Sequence, residues 1–367
     1  MVRVPPQGGW THGDGRAMGP LMPDNGGAMP IEFGLDTFGD VTAGTHPAQV
    51  IRDVVAEGVL ADQVGVDIFG IGEHHRDDFA VSSPEMVLAA IAARTTRIRL
   101  ASAVTVLSSD EPVRVYQRFA TLDALAGGRA EVILGRGSFT ESFPLFGLPL
   151  DQYERLFDEK LDLFVRLRAG GPVTWRGSVR APLDGQAVYP PVEHGALRTW
   201  VGVGGSPQSV LRAAHYDLPM LLAIIGGDPA RFRPYVDLYA RAFAQAGRPV
   251  QPIGVHSPGF VGETDGDARD AFWPDYKAMH DRIGSTRGWP PLQRAQFDAE
   301  IDGGSLYVGA PETVARKIAR TVRLLGIRRF QLKYSAGPLS HGALMRCIEL
   351  YGRRVVPLVR EMLEDAA

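Results

Sequence analysis

The chain has 367 residues, of which 45% are hydrophobic and 22% charged, with a formal net charge of -3. That apolar content is enough for a large core, and the near balance of charge gives no footing for nucleic acid or an anionic membrane. The lone cysteine, Cys347, excludes a disulfide framework and a cysteine-rich metal site, no apolar run approaches the ~18 residues of a bilayer-spanning helix, and without an apolar signal core the protein is expected in the cytoplasm.

Residues 1–29 are rich in Gly and Pro and lack periodic hydrophobes. They read as a disordered N-terminal tail, with one domain over residues 30–367 and order beginning at Ile31. From there, short runs of β-formers alternate with longer stretches of helical spacing. Strand Ile31–Phe38 precedes helix Pro47–Val64, Asp67–Gly72 precedes Pro84–Thr95, and Ile98–Val106 precedes Pro112–Leu125. Ala130–Leu134 is followed by Asp151–Leu167, Thr199–Val203 by Pro207–His215, and Met220–Ile225 by Pro229–Ala246. Ile253–His256 leads into a helix near Asp265–Arg282, and Phe330–Tyr334 into His341–Met362. In Asp151–Leu167 the apolar Tyr153, Leu156, Phe157, Leu161 and Phe164 make one helical stripe. Eight strands, each followed by a helix, predict an α/β fold, a (β/α)8 TIM barrel with insertions.

Two insertions interrupt the alternation. Gly170–Gly195 holds two β-like pieces, Val173–Arg176 and Ala187–Tyr189. Ile283–Val308, dense in Gly and Pro, is expected to be a mobile lid or a disordered segment, with Trp289 as an apolar cover; the helix Pro311–Leu325 follows it. Cys347, in an amphipathic stretch, is expected to be buried packing.

Active sites of such barrels lie at the C-terminal strand ends. After the second strand stands Gly72-Glu73-His74-His75. It suits a hydrogen-bonded structural cluster, acid–base chemistry near neutral pH, or metal ligation. A metal would need ligands from other strand ends. The first strand ends in Asp36-Thr37-Phe38, the fifth and sixth end at glycines, and only His256 could add an imidazole, so no metal is expected. After the fourth strand, Gly135-Arg136-Gly137-Ser138 suits backbone approach to a ligand and an anion facing the guanidinium. After the fifth, Gly204-Gly205-Ser206-Pro207-Gln208-Ser209 reads as a capped helix start that can take a phosphate.

The stretch Gly65–Arg136 resembles the luciferase-like flavin monooxygenase family: Gly-Glu-His-His, then Ala-Val-Thr-Val-Leu, Glu111-Pro112-Val113-Arg114, Leu122-Asp123, Gly127-Gly128-Arg129 and Gly135-Arg136-Gly137. A weaker similarity runs from Ile31 to Leu363. The resemblance implies reduced FMN as cosubstrate, with Arg136, Ser138, Gly204, Gly205, Ser206 and Ser209 about the cofactor and its phosphate. It implies a non-proline cis peptide at Ala103–Val104 under the flavin ring. It places His74 at the reactive flavin edge, with Glu73 and His75 beside it, and a small-molecule substrate oxidised with O2. It further implies a homodimer and a separate flavin reductase. Gly135 stands where a luciferase chain carries cysteine, which argues against light emission and a long-chain aldehyde, and Gly205 stands where that chain carries an acidic residue. The alternatives are a deazaflavin-dependent dehydrogenase and a flavin-binding protein without catalysis. Deleting residues 1–29 should leave the thermal unfolding midpoint within a few degrees of the full chain; a larger fall would mean that the tail packs on the core.

Overall fold

The computed structural model describes residues 30–42 and 44–364, so the expected tail lies outside the described residues. Eight strands form the barrel: β1 (Glu32–Thr37), β2 (Ile68–Ile71), β3 (Arg99–Ser102), β4 (Ala130–Gly135), β5 (Arg198–Val203), β6 (Met220–Ala223), β7 (Ile253–Val261) and β8 (Arg329–Lys333). Each pairs in parallel with the next. β8 returns to β1, with Phe330 opposite Phe33, so the sheet closes. Helices cover the outside, as parallel strands buried on both faces require. The expected starts recur. Pro47, Pro112 and Pro207 open their helices, behind His46, Glu111 and Ser206, whose side chains accept from backbone N–H groups of the first turn.

The structure departs from the sequence pattern in four places. The third strand breaks at the Ala103–Val104 peptide, which is cis. It resumes as Thr105–Val106 beside Leu134 and Gly135. β7 runs on to Val261 because its second half pairs with an additional strand, Tyr307–Gly309. In the first insertion Val173–Trp175 pairs antiparallel with Leu183–Gln186, not with Ala187–Tyr189. There Glu159 accepts from the N–H groups of Ser178 and Val179 at 2.6 and 3.1 Å, and this tightens the turn so that the hairpin closes early. Most of Ile283–Val308 is regular structure, contrary to a structureless lid. The preceding helix extends over Asp265–Arg287, and a second helix spans Arg294–Asp302. Reciprocal Gln293 and Gln296 caps start that second helix, and Phe297 and Ile301, one turn apart, bury its inner face.

The barrel interior is layered. At its N-terminal floor the buried Arg329 guanidinium binds Glu131 of β4 and Glu32 of β1, and lies 3.9 Å from the Trp200 ring centroid. Above it, Ile68, Ala101, Ile133, Trp200 and Leu221 form a dry plug. The upper layer turns polar on β1, β7 and β8, with Asp36, His256, Gln331 and Lys333 all buried. Cys347 packs under β7, accepting from the Val261 N–H at 3.2 Å, and burial pushes its thiol up to about 12. Among the described residues no helix is long and apolar enough to cross a membrane.

Burial alone would push the Glu131 carboxyl up, but the Arg329 charge and hydrogen bonds, helped by Arg99 and Arg198, bring it below its ordinary value. Its stabilising contribution is therefore present above the ordinary carboxylate range and is lost as pH falls. Arg329→Ala should cost about 3–5 kcal/mol in urea unfolding, since it leaves Glu131 buried and unpaired. The gap to wild type should narrow between about pH 7 and about pH 4, as the stranded carboxylate takes a proton. A gap that widened with acid would refute this assignment.

Candidate active site

The C-terminal strand ends surround a cavity of about 1140 Å³, somewhat above the ~300–1,000 Å³ usual for small-molecule sites. Of the residues expected at the site, Glu73, His74, His75, Val104, Arg136, Ser138 and Gly204 are on its wall. Ala103, Gly205, Ser206 and Ser209 are not. The glycines flanking Arg136 serve neighbours within the fold. A Cβ on Gly135 would collide with Val104, and one on Gly137 would stand 2.8 Å from Val106 Cγ1. They seat the two valines of the segment after the cis bond, a role different from the backbone approach to a ligand that their spacing suggests.

The Glu-His-His run divides its work. Glu73 is buried and both its oxygens are engaged: Oε2 accepts from the Val106 N–H at 2.8 Å, and Oε1 lies 3.0 Å from His75 Nε2. It therefore fixes the 104–106 segment and the His75 ring. His74 sits in an aromatic cage, with ring centroids 4.5 Å from Phe38, 4.4 Å from Phe79 and 5.3 Å from Phe139. Among the described residues its imidazole nitrogens find no hydrogen-bond partner. Burial, then Lys333, His75 and Arg76, push it down from its ordinary value to about 3. The near-neutral titration expected of this histidine is thus removed by its surroundings. His74 is a neutral imidazole at pH 7, able to donate or accept a hydrogen bond but not to act as an imidazolium acid.

A second corner gathers two arginines and two carboxylates, for Arg212 also pairs with Asp158. Arg136 forms an ion pair with Glu154, and the other oxygen of Glu154 takes Arg212 at 3.1 Å. Arg212 Nη1 is 3.5 Å from Ser209 Oγ. Ser209 in turn accepts from Ser206 Oγ at 2.8 Å, at the start of helix Pro207–His215. One carboxylate thus joins the two strand ends that the sequence pointed to separately. Arg212 and Glu154 were missed. Arg212 was within reach of the pattern, being one helical turn beyond Ser209 on the same face. Glu154, a polar position beside the apolar stripe of its helix, carries no local signal of this role.

A third corner is a polar network on β1, β7 and β8. His256 Nδ1 lies 2.7 Å from Asp36 Oδ2, and Asp36 Oδ1 accepts from Gln331 Nε2 at 2.9 Å. Lys333 donates to Asp40 at 3.1 Å and to the Ser335 carbonyl, and lies 4.4 Å from the Phe38 ring centroid. Burial, only partly offset by Asp40, pushes Lys333 below its ordinary value. Over the mouth, Arg287 donates to the Ser138 carbonyl at 3.0 Å and Arg282 pairs with Asp77 at 2.5 Å. These contacts tie the end of helix Asp265–Arg287 to the loops after β2 and β4, with Trp289 beside the cavity.

A model of the luciferase-like monooxygenase family matches residues 31–329. The chain belongs to that family. Limonene 1,2-monooxygenase of Rhodococcus erythropolis is 35% identical over 153 residues, 40% of this chain and 39% of the relative. The alkanal monooxygenase alpha chain of Photobacterium leiognathi is 22% identical over 87% of this chain and 96% of its own. The chain spans about half or less of the length of the curated relatives it matches first. Among solved structures, monooxygenase RslO1 from Streptomyces bottropensis superposes with a TM-score of 0.80 at 23% identity, over 89% of this chain and 99% of that one. The oxygenating constituent of 3,6-diketocamphane monooxygenase from Pseudomonas putida, solved with FMN, gives 0.74 at 19% over 90% and 99%. An F420-dependent secondary alcohol dehydrogenase gives 0.70 at 17% over the same shares.

The caged His74 makes a spectroscopic prediction. Its imidazole NMR signals should stay flat from about pH 8 to about pH 5, a window in which an unperturbed histidine near 6.5 titrates. A His74 titration inside that window would show that water reaches the ring.

Proposed function

We propose that the protein is a flavin-dependent monooxygenase that uses reduced FMN and O2 to oxidise a small organic molecule. The observation that carries this reading is that Arg136, on the wall of a large, mostly apolar cavity, is joined through Glu154 to Arg212 and the Ser206–Ser209 helix start behind it. Two guanidinium groups and a helix N-terminus are a donor set for a phosphate dianion. Beside them a Cβ on Gly204 or Gly226 would meet nothing within 4 Å, so backbone borders open space there. The residues fit a flavin mononucleotide.

When bound, the reduced flavin supplies the electrons that turn O2 into an oxygen donor. The chain does the rest. Arg136 and Arg212 would hold the phosphate in place of Glu154, which pairs with both in this structure. Val104, held in place by Gly135 and Gly202, offers an apolar face to a planar ring. His74 holds a hydrogen bond as a neutral imidazole at the reacting edge. Glu73 keeps the 104–106 segment in place beneath. Phe139, Trp289 and Leu292 keep water out, which favours oxygen transfer over release of peroxide. The reduced flavin would come from a separate reductase, and the protein would work as a homodimer. A deazaflavin-dependent dehydrogenase is the second reading, since an F420-dependent enzyme shares the fold.

Reduced FMN and reduced deazaflavin, titrated separately, decide between the two readings; tighter binding of the deazaflavin would overturn the first. Arg136→Ala should raise the FMN dissociation constant roughly 10- to 100-fold, the worth of a charged hydrogen bond of ~1.5–3 kcal/mol, and hardly change that of riboflavin. Glu154→Gln should tighten FMN binding. Equal weakening of FMN and riboflavin by Arg136→Ala would move the phosphate elsewhere.

A further inference from the structure

The same cavity holds His256, which also packs on Phe38. The two histidines share that ring: Phe38 is 4.5 Å from His74 and 6.0 Å from His256, stacked within 10° of the latter. Their environments are opposite. His74 has no polar partner, whereas His256 rests on a fully buried carboxylate, Asp36, at 2.7 Å. The fold makes room for that carboxylate, because a Cβ on Gly70 would overlap Asp36 Oδ1. Asp36 already accepts from Gln331 through its other oxygen. Both carboxylate oxygens are therefore acceptors, so the proton of neutral His256 sits on Nδ1 and the lone pair on Nε2. Nε2 has no partner among the described residues, and His256 is on the cavity wall. A base oriented by a buried acid and pointed into an apolar cavity is a proton acceptor awaiting a substrate.

The walls say what kind. Phe38, Tyr276, Trp289 and Phe297 line the same cavity, which suits a planar aromatic ring. The titratable groups lining the cavity besides His256 are Lys333 of β8, with Asp40 behind it, Tyr276, His280 and Arg287 of helix Asp265–Arg287, Glu300 of the helix after it, Glu73, His74 and His75 after β2, and Arg136, Glu141 and Tyr153 after β4. None of them competes for Nε2.

We propose that the substrate carries a phenolic hydroxyl and that the Asp36–His256 pair removes its proton. The O–H bond breaks, its electron pair stays on oxygen, and the proton goes to His256 Nε2. The resulting imidazolium faces the Asp36 carboxylate, and Lys333, one pleat further along the neighbouring strand, stands near the new phenolate. Ionisation raises electron density at the ring carbons ortho and para to oxygen, the positions that aromatic hydroxylation converts. The phenol deepens the flavin monooxygenase reading and rests on it for the oxygen transfer that comes after ionisation. His256 is the catalytic residue and Asp36 the positioning residue.

The proton transfer needs no cofactor, so it can be tested on the flavin-free protein with 4-nitrophenol, at a pH below the probe's own ionisation midpoint. Bound to the wild type, the probe should show its phenolate absorption band. His256→Gln should bind the probe within about threefold of wild type by calorimetry, yet lose at least about tenfold in the bound phenolate-to-phenol ratio, one pKa unit's worth. His256→Asn, checked for native circular dichroism, guards against a folding failure of the first variant. Asp36→Asn should keep probe binding and weaken the band, because an amide in that place can turn the imidazole to the wrong tautomer. The proposal is overturned if the band survives in both His256 variants, if the wild type binds only neutral probe, or if it binds none. Titration with FMN separates the two readings. A protein that binds FMN but never ionises the probe refutes the phenol and keeps the flavin. One that ionises the probe through His256 and binds neither FMN nor deazaflavin does the reverse.

Discussion

The Arg329 guanidinium holds the floor of the barrel together from inside. It stands on β8, takes Glu32 from β1 across the closing seam, reaches Glu131 of β4 on the far wall, and covers the Trp200 ring of β5. A cation this deep is costly to desolvate, and only its two carboxylates make it tolerable. The geometry that results is strict. With four strands tied at the bottom, their C-terminal ends are set at the top, where they meet the loop after β2 that carries His74, His256 of β7, and the helices that carry Glu154 and Arg212. The apolar layer above the ion cluster, with Trp200 and Leu221 at its centre, separates this charge from the cavity chemistry.

Above that layer the same low-dielectric interior produces two different histidines. Burial within the cage of Phe38, Phe79 and Phe139 strips water from His74, and Lys333, His75 and Arg76 oppose a positive charge there. His256 packs on the same Phe38 ring with a carboxylate at its back. A ring without a polar partner and a ring held by a carboxylate suit different roles. The neutral ring suits a hydrogen bond, and the carboxylate-backed ring suits a proton.

The corner of Arg136 and Arg212 works on a related principle. Arg136 and Arg212 would repel each other at close range, and Glu154 compensates them. That carboxylate is more than half exposed, so its attachment is weak in water and a dianion can replace it. Over the mouth, Arg282 and Arg287 bind the covering helix to the loops after β2 and β4 through similarly exposed contacts.

The sequence by itself determined the alternation of strands and helices, the proline and serine helix starts, the closed barrel, and the positions of Glu73, His74, Arg136 and Ser206 at strand ends. Those are local properties, set by periodicity, capping and turn chemistry within a few residues. Tertiary structure alone decided what these residues do. Asp36 meets His256 across 220 positions of chain, and Arg329 meets Glu131 across 198. Glu73 became a clamp rather than an acid because the Val106 N–H came within 2.8 Å of it. His74 lost its titration because Phe79 and Phe139 closed round it. The second insertion looked like a loop because its glycines and prolines are local signals, whereas Phe297, which orders it, is buried by packing on Phe272, Trp273 and Tyr276 of the preceding helix. In a parallel barrel both faces of each strand are covered, so alternation along the sequence does not reveal which side chains point inward. Only closure, which brings strands far apart in sequence to the same height, shows which side chains share a layer.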